Sequence, residues 1–454
     1  APDMDIVHVP DPLALTVRPF CKFNLNEFIT QKIMTQETQK KFDTVVIGGG
    51  PSGMICAGFA GLSGKKVLLV EKNYLLGEKL KLTGGGRCNI ANAEFELETL
   101  LDNFGAGKKF LYSPFSKFNV QDTFDFFENI GLPLVVETRK RAFPKTQSAQ
   151  DVIDKLKLFM KNNNVTIRNN TAVIAMDKKD NQIKSVTLST GEKISANNFV
   201  LATGGLAAPQ TGSTGDGFKF LKKLGHTIDK SEPDIVPLTT DAQWVHNLSG
   251  LDWSFMQISF IQDNKVKLKK TGKILFTHFG VSGPLILNSA REVKKLLSAG
   301  PVTASIDLFP DTPENELDKK ILKIFEKNKN SKLKNALPEL IFKNIGLEIL
   351  TLSDLNLSDK TINAITKEER KNLVKKLKNL TFPITGTLGF AEAIAADGGI
   401  ALREIDFNNM TSKIYPNLYI LGDLLHITRP SGGFSLQLCW TTGAVAGKHI
   451  SNLA

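Results

Sequence analysis

The stretch from Phe42 to Glu71, FDTVVIGGGPSGMICAGFAGLSGKKVLLVE, constrains the fold of this chain more than any other segment. Phe42 to Ile47 is a short apolar run suited to a buried parallel strand, and Gly48, Gly50 and Gly53 follow it at G-x-G-x-x-G spacing. Gly48 permits a tight turn, Gly50 lets the backbone approach a pyrophosphate, and Gly53 lets the next helix lie close to the sheet. Pro51 and Ser52 open that helix, whose free N–H groups and dipole favour negative charge. Ala57, Ala60 and Leu62 supply its packing face, and Val67 to Val70 reads as the second strand. Glu71 ends that strand about 20 residues beyond the glycines, where a carboxylate accepts from both ribose hydroxyls of an adenosine. A 2′-phosphate would meet like charge there, so FAD or NAD is favoured over NADP.

With 454 residues, the chain has room for two or three domains. No apolar run is long enough for a membrane helix, and no secretory pattern opens the sequence. Cys21, Cys56, Cys88 and Cys439 are widely spaced without metal-binding pattern, so reduced thiols, a cytoplasmic location and no metal are expected. The net charge of +11 is mostly lysine, much of it between Lys319 and Lys378 in amphipathic patterns. Without RNA-reading signatures this is better read as a solvated face, and no nucleic-acid partner is expected. Residues 1–40, broken by Pro2, Pro10, Pro12 and Pro19, are expected to be an N-terminal extension, with Met34 a candidate start of the compact protein.

Downstream of Glu71 and Lys72, LKLTGGGRCNIAN (80–92) places three glycines before Arg87, Cys88 and Asn89, a composition that disfavours a helix or strand interior. Such a loop lets backbone approach a flat ligand. Thr83, Gly84, Gly85, Gly86, Arg87, Cys88 and Asn89 are therefore expected beside a flavin or its phosphates, with Arg87 near developing negative charge. The fingerprint, the G-x-K ending at Lys79 and the T-G-G-G-R-C-N loop together resemble a family of bacterial FAD-dependent flavoproteins that includes aminoacetone oxidases and flavoproteins of bile-acid dehydroxylation. The resemblance implies a Rossmann-like FAD domain carrying an inserted β-barrel-like domain and a small helical domain. Lys72 and Lys79 join the expected cofactor contacts.

Phe110 to Gly131 reads as helical, as does Ser148 to Asn162. Val165 to Ile174, Ile183 to Leu188 and Lys193 to Ile194 alternate like antiparallel strands; the resemblance implies that this ribbon passes near the adenine, at Val173. Asn198 to Gly205 is a strand ending in glycines, and Thr203, Gly204 and Gly205 return the chain to the cofactor's edge. The α/β architecture is expected to divide into FAD-binding parts at 41–208 and 381–454, a β-rich substrate domain at 209–311 and a helical domain at 312–380. Within the insert, FTHFGVSGP (276–284) matches the resembling family, and His278 is a candidate acid or base, although a lone histidine among apolar residues is more often structural. In the last part, Gly422 and Asp423 end a strand, and the carboxylate is expected to accept from the ribityl chain. Gly432, Gly433, Phe434 and Ser435 lead into a final helix whose N-terminus stabilises negative charge on the reduced ring. Many relatives carry G-E-x-x-D and G-G-Y-N where this chain has Asp423, His426, Phe434 and Ser435, so the cofactor carries over and the substrate does not.

These features give an FAD-dependent oxidoreductase with a single dinucleotide site, passing a hydride between a small organic substrate and flavin N5, with NAD(P)H or O2 as redox partner. Arg87, His278 and His426 are the catalytic candidates. A flavin-containing RNA-binding or RNA-modifying protein and a non-catalytic redox sensor remain alternatives, and both an amine oxidase and a C=C reductase fit the first reading.

Overall fold

The computed structural model describes residues 41–352 and 357–453; the N-terminal extension, with Cys21 and Met34, lies outside them. The parallel strand Lys41–Ile47 is flanked by Val67–Val70 on one side and Lys193–Leu201 on the other. Val165–Arg168 adds to the first edge, and Leu418–Ile420 pairs with the far end of Lys193–Leu201. The helix Pro51–Gly61 is buried from Ser52 through Gly61, as a helix apolar all round must be. The C-terminal helix Phe434–Asn452 packs directly on it. A Cβ at Gly443 would lie 2.6 Å from Ser52 O, and one at Gly447 2.6 Å from Cys56 O, so only glycines permit this backbone approach.

Three expected elements differ. The stretch Phe110–Gly131 forms two helices, Lys108–Lys117 and Val120–Asn129, because Asn119 accepts from Asp122 N while the Asp122 side chain accepts from Asn119 N. That reciprocal cap starts a new helix where the phenylalanine pattern alone runs on. Val165–Ile174 is likewise not one antiparallel strand: its first part joins the parallel sheet, Asn170 turns at φ +51°, and Val173–Lys179 begins the antiparallel ribbon. The turn is held by Asn170 N donating to Asn73 O (2.9 Å) and Thr171 N to Glu71 O (3.0 Å), which brings Thr171 to Val173 beside Glu71. Lys193–Ile194 and the start of Asn198–Gly205 form one continuous strand, antiparallel to Gln182–Leu188 and parallel to Lys41–Ile47.

The insert is an antiparallel sheet running in the order Leu380–Ile384, Val302–Asp307, Asp252–Gln262, Lys265–Thr277, Gly280–Ser282, Leu238–Thr239 and Gly386–Thr387. Its two end strands are separated only by Thr385, so one segment bonds both edges and the sheet closes on itself. The first residues of the expected second FAD-binding part, 381–454, therefore lie outside the parallel sheet. Leu380–Ile384 pairs with Val302–Asp307, and Ala395–Ile400 pairs with Ile228–Asp234 in a ribbon linking insert and parallel sheet. The physical reason is the strict alternation of Leu380, Phe382 and Ile384 into the insert's core. The helices Glu314–Lys327 and Lys367–Lys378 share that core through Leu317, Ile321, Leu373 and Leu377.

Candidate functional site

A cleft partly open to solvent follows the carboxyl ends of Lys41–Ile47, Val67–Val70 and Lys193–Leu201, the edge at which open α/β sheets take their ligands. At one end it is lined by Glu71, Lys72 and Val173; at its centre by Gly48, Gly50, Pro51, Ser52, Thr203 and Gly204; at the other by Lys79, Thr83, Asp423 and Ser435. Two carboxylates about 350 residues apart along the chain thus share one channel.

Glu71 is nearly buried. Its Oε2 accepts from Gly49 N at 2.6 Å and its Oε1 from Asn73 N at 2.8 Å. Each oxygen keeps a further lone pair, so the carboxylate is fixed in orientation yet still able to accept from a diol. A Cβ built on Gly50 meets nothing within 4 Å, whereas one on Gly53 would sit 1.9 Å from Gly48 O and one on Gly48 2.4 Å from Ala202 O. The glycines divide by cause. Gly48 and Gly53 are required by the protein's own packing, and Gly50 leaves a cradle that a side chain would fill, as a closely approaching pyrophosphate demands. Over this end, Lys72 Nζ donates to Thr214 Oγ1 (2.5 Å) and Asp216 Oδ2 (2.7 Å), and Asn73 Nδ2 to Thr211 O (3.0 Å), strapping residues 211–216 across it. Burial pushes the Asp216 carboxyl up, but Lys72, Lys219 and Thr214 outweigh it and hold it well below the usual range.

At the opposite end Asp423 is bridged by Lys79 Nζ at 3.2 Å and by the guanidinium of Arg429. Burial raises its pKa, yet the two cations outweigh that and bring it to about 2. Arg429 carries no signal in the sequence: the run from Ile427 to Pro430 lacks periodicity or motif spacing, and only the fold makes it the counter-ion of Asp423. Gly49, Asn73, Thr171, Ser213, Asp216 and Cys439 also line the cleft without having been anticipated.

The remaining expected residues stand behind this surface or apart from it. Gly205 and Gly422 back it: a Cβ on Gly205 would lie 3.1 Å from Asp423 O, and one on Gly422 2.7 Å from Ser52 Oγ. Gly84, Gly85 and Gly86 all take φ between +60° and +88° and are exposed. Arg87 stacks on Phe143 at 4.0 Å, and its Nη1 donates to Glu137 Oε1 (2.9 Å) and Gln147 Oε1 (2.8 Å). Cys88 is buried, with its thiol pushed up to about 12 by desolvation, and is correspondingly unreactive. Asn89, its amide oxygen turned to Gly433 N at 3.1 Å, and Asn92, donating to Gly432 O at 3.2 Å, hold the turn before the last helix. Phe434 packs edge-on against Phe104. His278 is exposed at a hairpin tip, touching the ring of Phe279. His426 lies between two carboxylates of the linking ribbon, with Nδ1 2.8 Å from Asp229 Oδ2 and Nε2 3.1 Å from Asp397 Oδ1.

No helix among the described residues is long and apolar enough to cross a membrane. Residues 42–449 match the model of the HI0933-like protein Rossmann domain. The chain is similar to "Ribosomal RNA dihydrouridine synthase" of Escherichia coli (strain K12), at 26% identity over 90% of this chain and 98% of the relative. It is also similar to "3-dehydro-bile acid delta(4,6)-reductase" of Clostridium scindens, at 25% identity over 89% of this chain and 97% of the relative. Among solved structures, the 3-ketosteroid-delta4-(5alpha)-dehydrogenase of Rhodococcus jostii RHA1 superposes with a TM-score of 0.54 at 13% identity, covering 93% of this chain and 99% of that one, a likeness of fold. The chain belongs to the HI0933-like Rossmann family and is an FAD-dependent oxidoreductase.

Proposed function

We propose that this flavoenzyme reduces a carbon–carbon double bond conjugated to a carbonyl, at a single dinucleotide site. The observation that carries the cofactor half of the reading is the convergence of Glu71 and Asp423 on one cleft. Glu71 would accept from the adenosine ribose, the Gly50 cradle would admit the pyrophosphate, and Asp423 would accept from the ribityl chain. Bound FAD supplies a hydride acceptor and donor at N5. The substrate half is supported by chemistry common to the two relatives' names: dihydrouridine is uridine with its ring C=C saturated beside a carbonyl, and a delta(4,6)-reductase of a 3-dehydro bile acid acts on double bonds conjugated to the 3-ketone.

Such a reduction also needs a proton at the carbon next to the carbonyl. Solvent entering the open cleft would supply it, since none of Arg87, His278 and His426 lines that cleft. His426, three residues beyond Asp423, has both ring nitrogens engaged by Asp229 and Asp397 and ties the linking ribbon together instead. His426→Gln is expected to keep its FAD and to turn over a model enone within a few-fold of the parent; a loss of ~10²-fold or more would bring His426 into the reaction. Anaerobic mixing tests the reaction class. The reduced enzyme should be reoxidised by a 2-enone, and reduction of the oxidised enzyme by aminoacetone would replace this reading with an amine oxidase.

One observation favours a macromolecular substrate as the second reading. Lys319 and Lys323 on Glu314–Lys327, and Lys367, Lys371 and Lys375 on the adjacent Lys367–Lys378, stand at helical spacing on exposed positions. None of the five is hydrogen-bonded or ion-paired among the described residues, although Lys367 and Lys371 lie near Asp318. Salt-sensitive binding of uridine-rich RNA would support a uracil base as the conjugated system; equal turnover of free enones with no RNA binding at low salt would confine the enzyme to small substrates.

A further inference from the structure

We infer that Arg429 is a positioning residue that sets the charge of the flavin site, acting through Asp423 and Ser435 to favour the reduced cofactor. The inference rests on the FAD site and is independent of which substrate is reduced. The Arg429 side chain is only 3% exposed, yet all of its reach is used. Nη1 donates to Ile427 O at 2.8 Å, Nε to Ser435 Oγ at 2.9 Å, and Nη2 to the Asp423 carboxylate. Three acceptors in three directions suit the planar fork of a guanidinium and no other side chain. Asp423 and Ser435 line the cleft and Arg429 does not, so whatever it does for the cofactor it does through them.

The balance of charge at this end is unusual. Two cations, Lys79 and Arg429, meet one carboxylate. Beside them opens the 19-residue helix Phe434–Asn452, whose first turn has no acidic side chain and whose N-cap, Gly433, offers no side-chain acceptor. Its unsatisfied N–H groups add positive potential to a site already carrying an excess of one positive charge. A surplus cation in a partly desolvated site is costly unless an anion answers it. The group that gains negative charge in this cleft is the flavin on reduction, so the surplus is answered most fully in the reduced state. Lys79 reaches Asp423 from the cleft wall, whereas Arg429 is enclosed and bonded in three directions, and it holds Asp423 in the orientation from which Lys79 and the ribityl chain would be served.

The test uses the FAD-loaded full chain, equilibrated anaerobically with a redox dye of known potential, and reads the ratio of oxidised to reduced flavin. Arg429→Met should shift that ratio about tenfold toward oxidised flavin, as expected for loss of one buried charge beside the site. Arg429→Lys, which keeps the charge and loses the fork, should recover most of the shift. A purely structural role would instead lower stability in both variants and leave the ratio where it is in the parent; that result, or a Lys variant no better than Met, overturns the inference. Should Arg429→Met purify without flavin, Ser435→Ala decides, because it takes away the Nε acceptor while leaving the guanidinium charge and its bond to Asp423: a smaller shift in the same direction supports the inference, and an unchanged ratio overturns it.

Discussion

Asp423→Asn is expected to yield protein that holds little or no flavin and unfolds about 3 kcal/mol more easily than the parent. The two losses have separate causes. Stability falls because Arg429, buried and aimed at Asp423, is left without its counter-charge. The folded-state pKa of Asp423, about 2 against an ordinary 3.8, carries the same information. A depressed carboxylate pKa contributes stability that is fully present above the unfolded value and is lost as pH falls through the folded one, so parent and variant should converge in stability between about pH 4 and pH 2. Flavin is lost because an amide has one acceptor oxygen where the carboxylate has two, and Lys79 no longer has a charge to hold it. The double variant Asp423→Asn/Arg429→Met separates the effects: it should regain much of the stability, since removing both members of a buried pair costs less than removing one, and still fail to bind FAD. Chemical denaturation and flavin absorbance of the same preparations measure both. A single variant that retains full flavin content would refute the ribityl assignment.

The fingerprint glycines give the second large effect, as a contrast between neighbours. Gly53→Ala forces a Cβ to within 1.9 Å of Gly48 O, a backbone atom at the turn that cannot move aside without separating helix from strand. A loss of about 3 kcal/mol is expected, at the upper end for overpacking, with flavin binding lost as a consequence. Gly50→Ala meets no protein atom, and Gly50 has φ −79° and ψ −177°, which alanine adopts without strain. Its fold should therefore be as stable as the parent to within about 0.5 kcal/mol, while its affinity for FAD falls sharply. If Gly50→Ala binds FAD like the parent, the pyrophosphate does not approach that turn.

How much of this was legible beforehand varied with the range of the interaction. The fingerprint strand, turn and helix fall where the sequence puts them, with Val67–Val70 matching to the residue, because each is decided by contacts between near neighbours. Ser148 caps its helix by accepting from Asp151 N for the same reason. The loop Thr83–Gly86 was readable as irregular from its glycines, and its left-handed backbone bears that out. The direction taken by Arg87 was not readable, since Phe143, Glu137 and Gln147 reach it only in the fold.

By itself the sequence determined the dinucleotide fold, the cofactor and the two acidic strand ends, since spacing over a few turns of chain is enough to specify a strand, a helix N-terminus and the carboxylate that follows. The tertiary structure alone decided that Leu380–Ile384 closes the insert, that Val165–Ile174 breaks to deliver Val173 to the cleft, that His426 stands between Asp229 and Asp397, and that Arg429 clasps Asp423. Strand pairing and the choice of ionic partner depend on distances in space between segments remote along the chain, and local pattern carries no record of those distances.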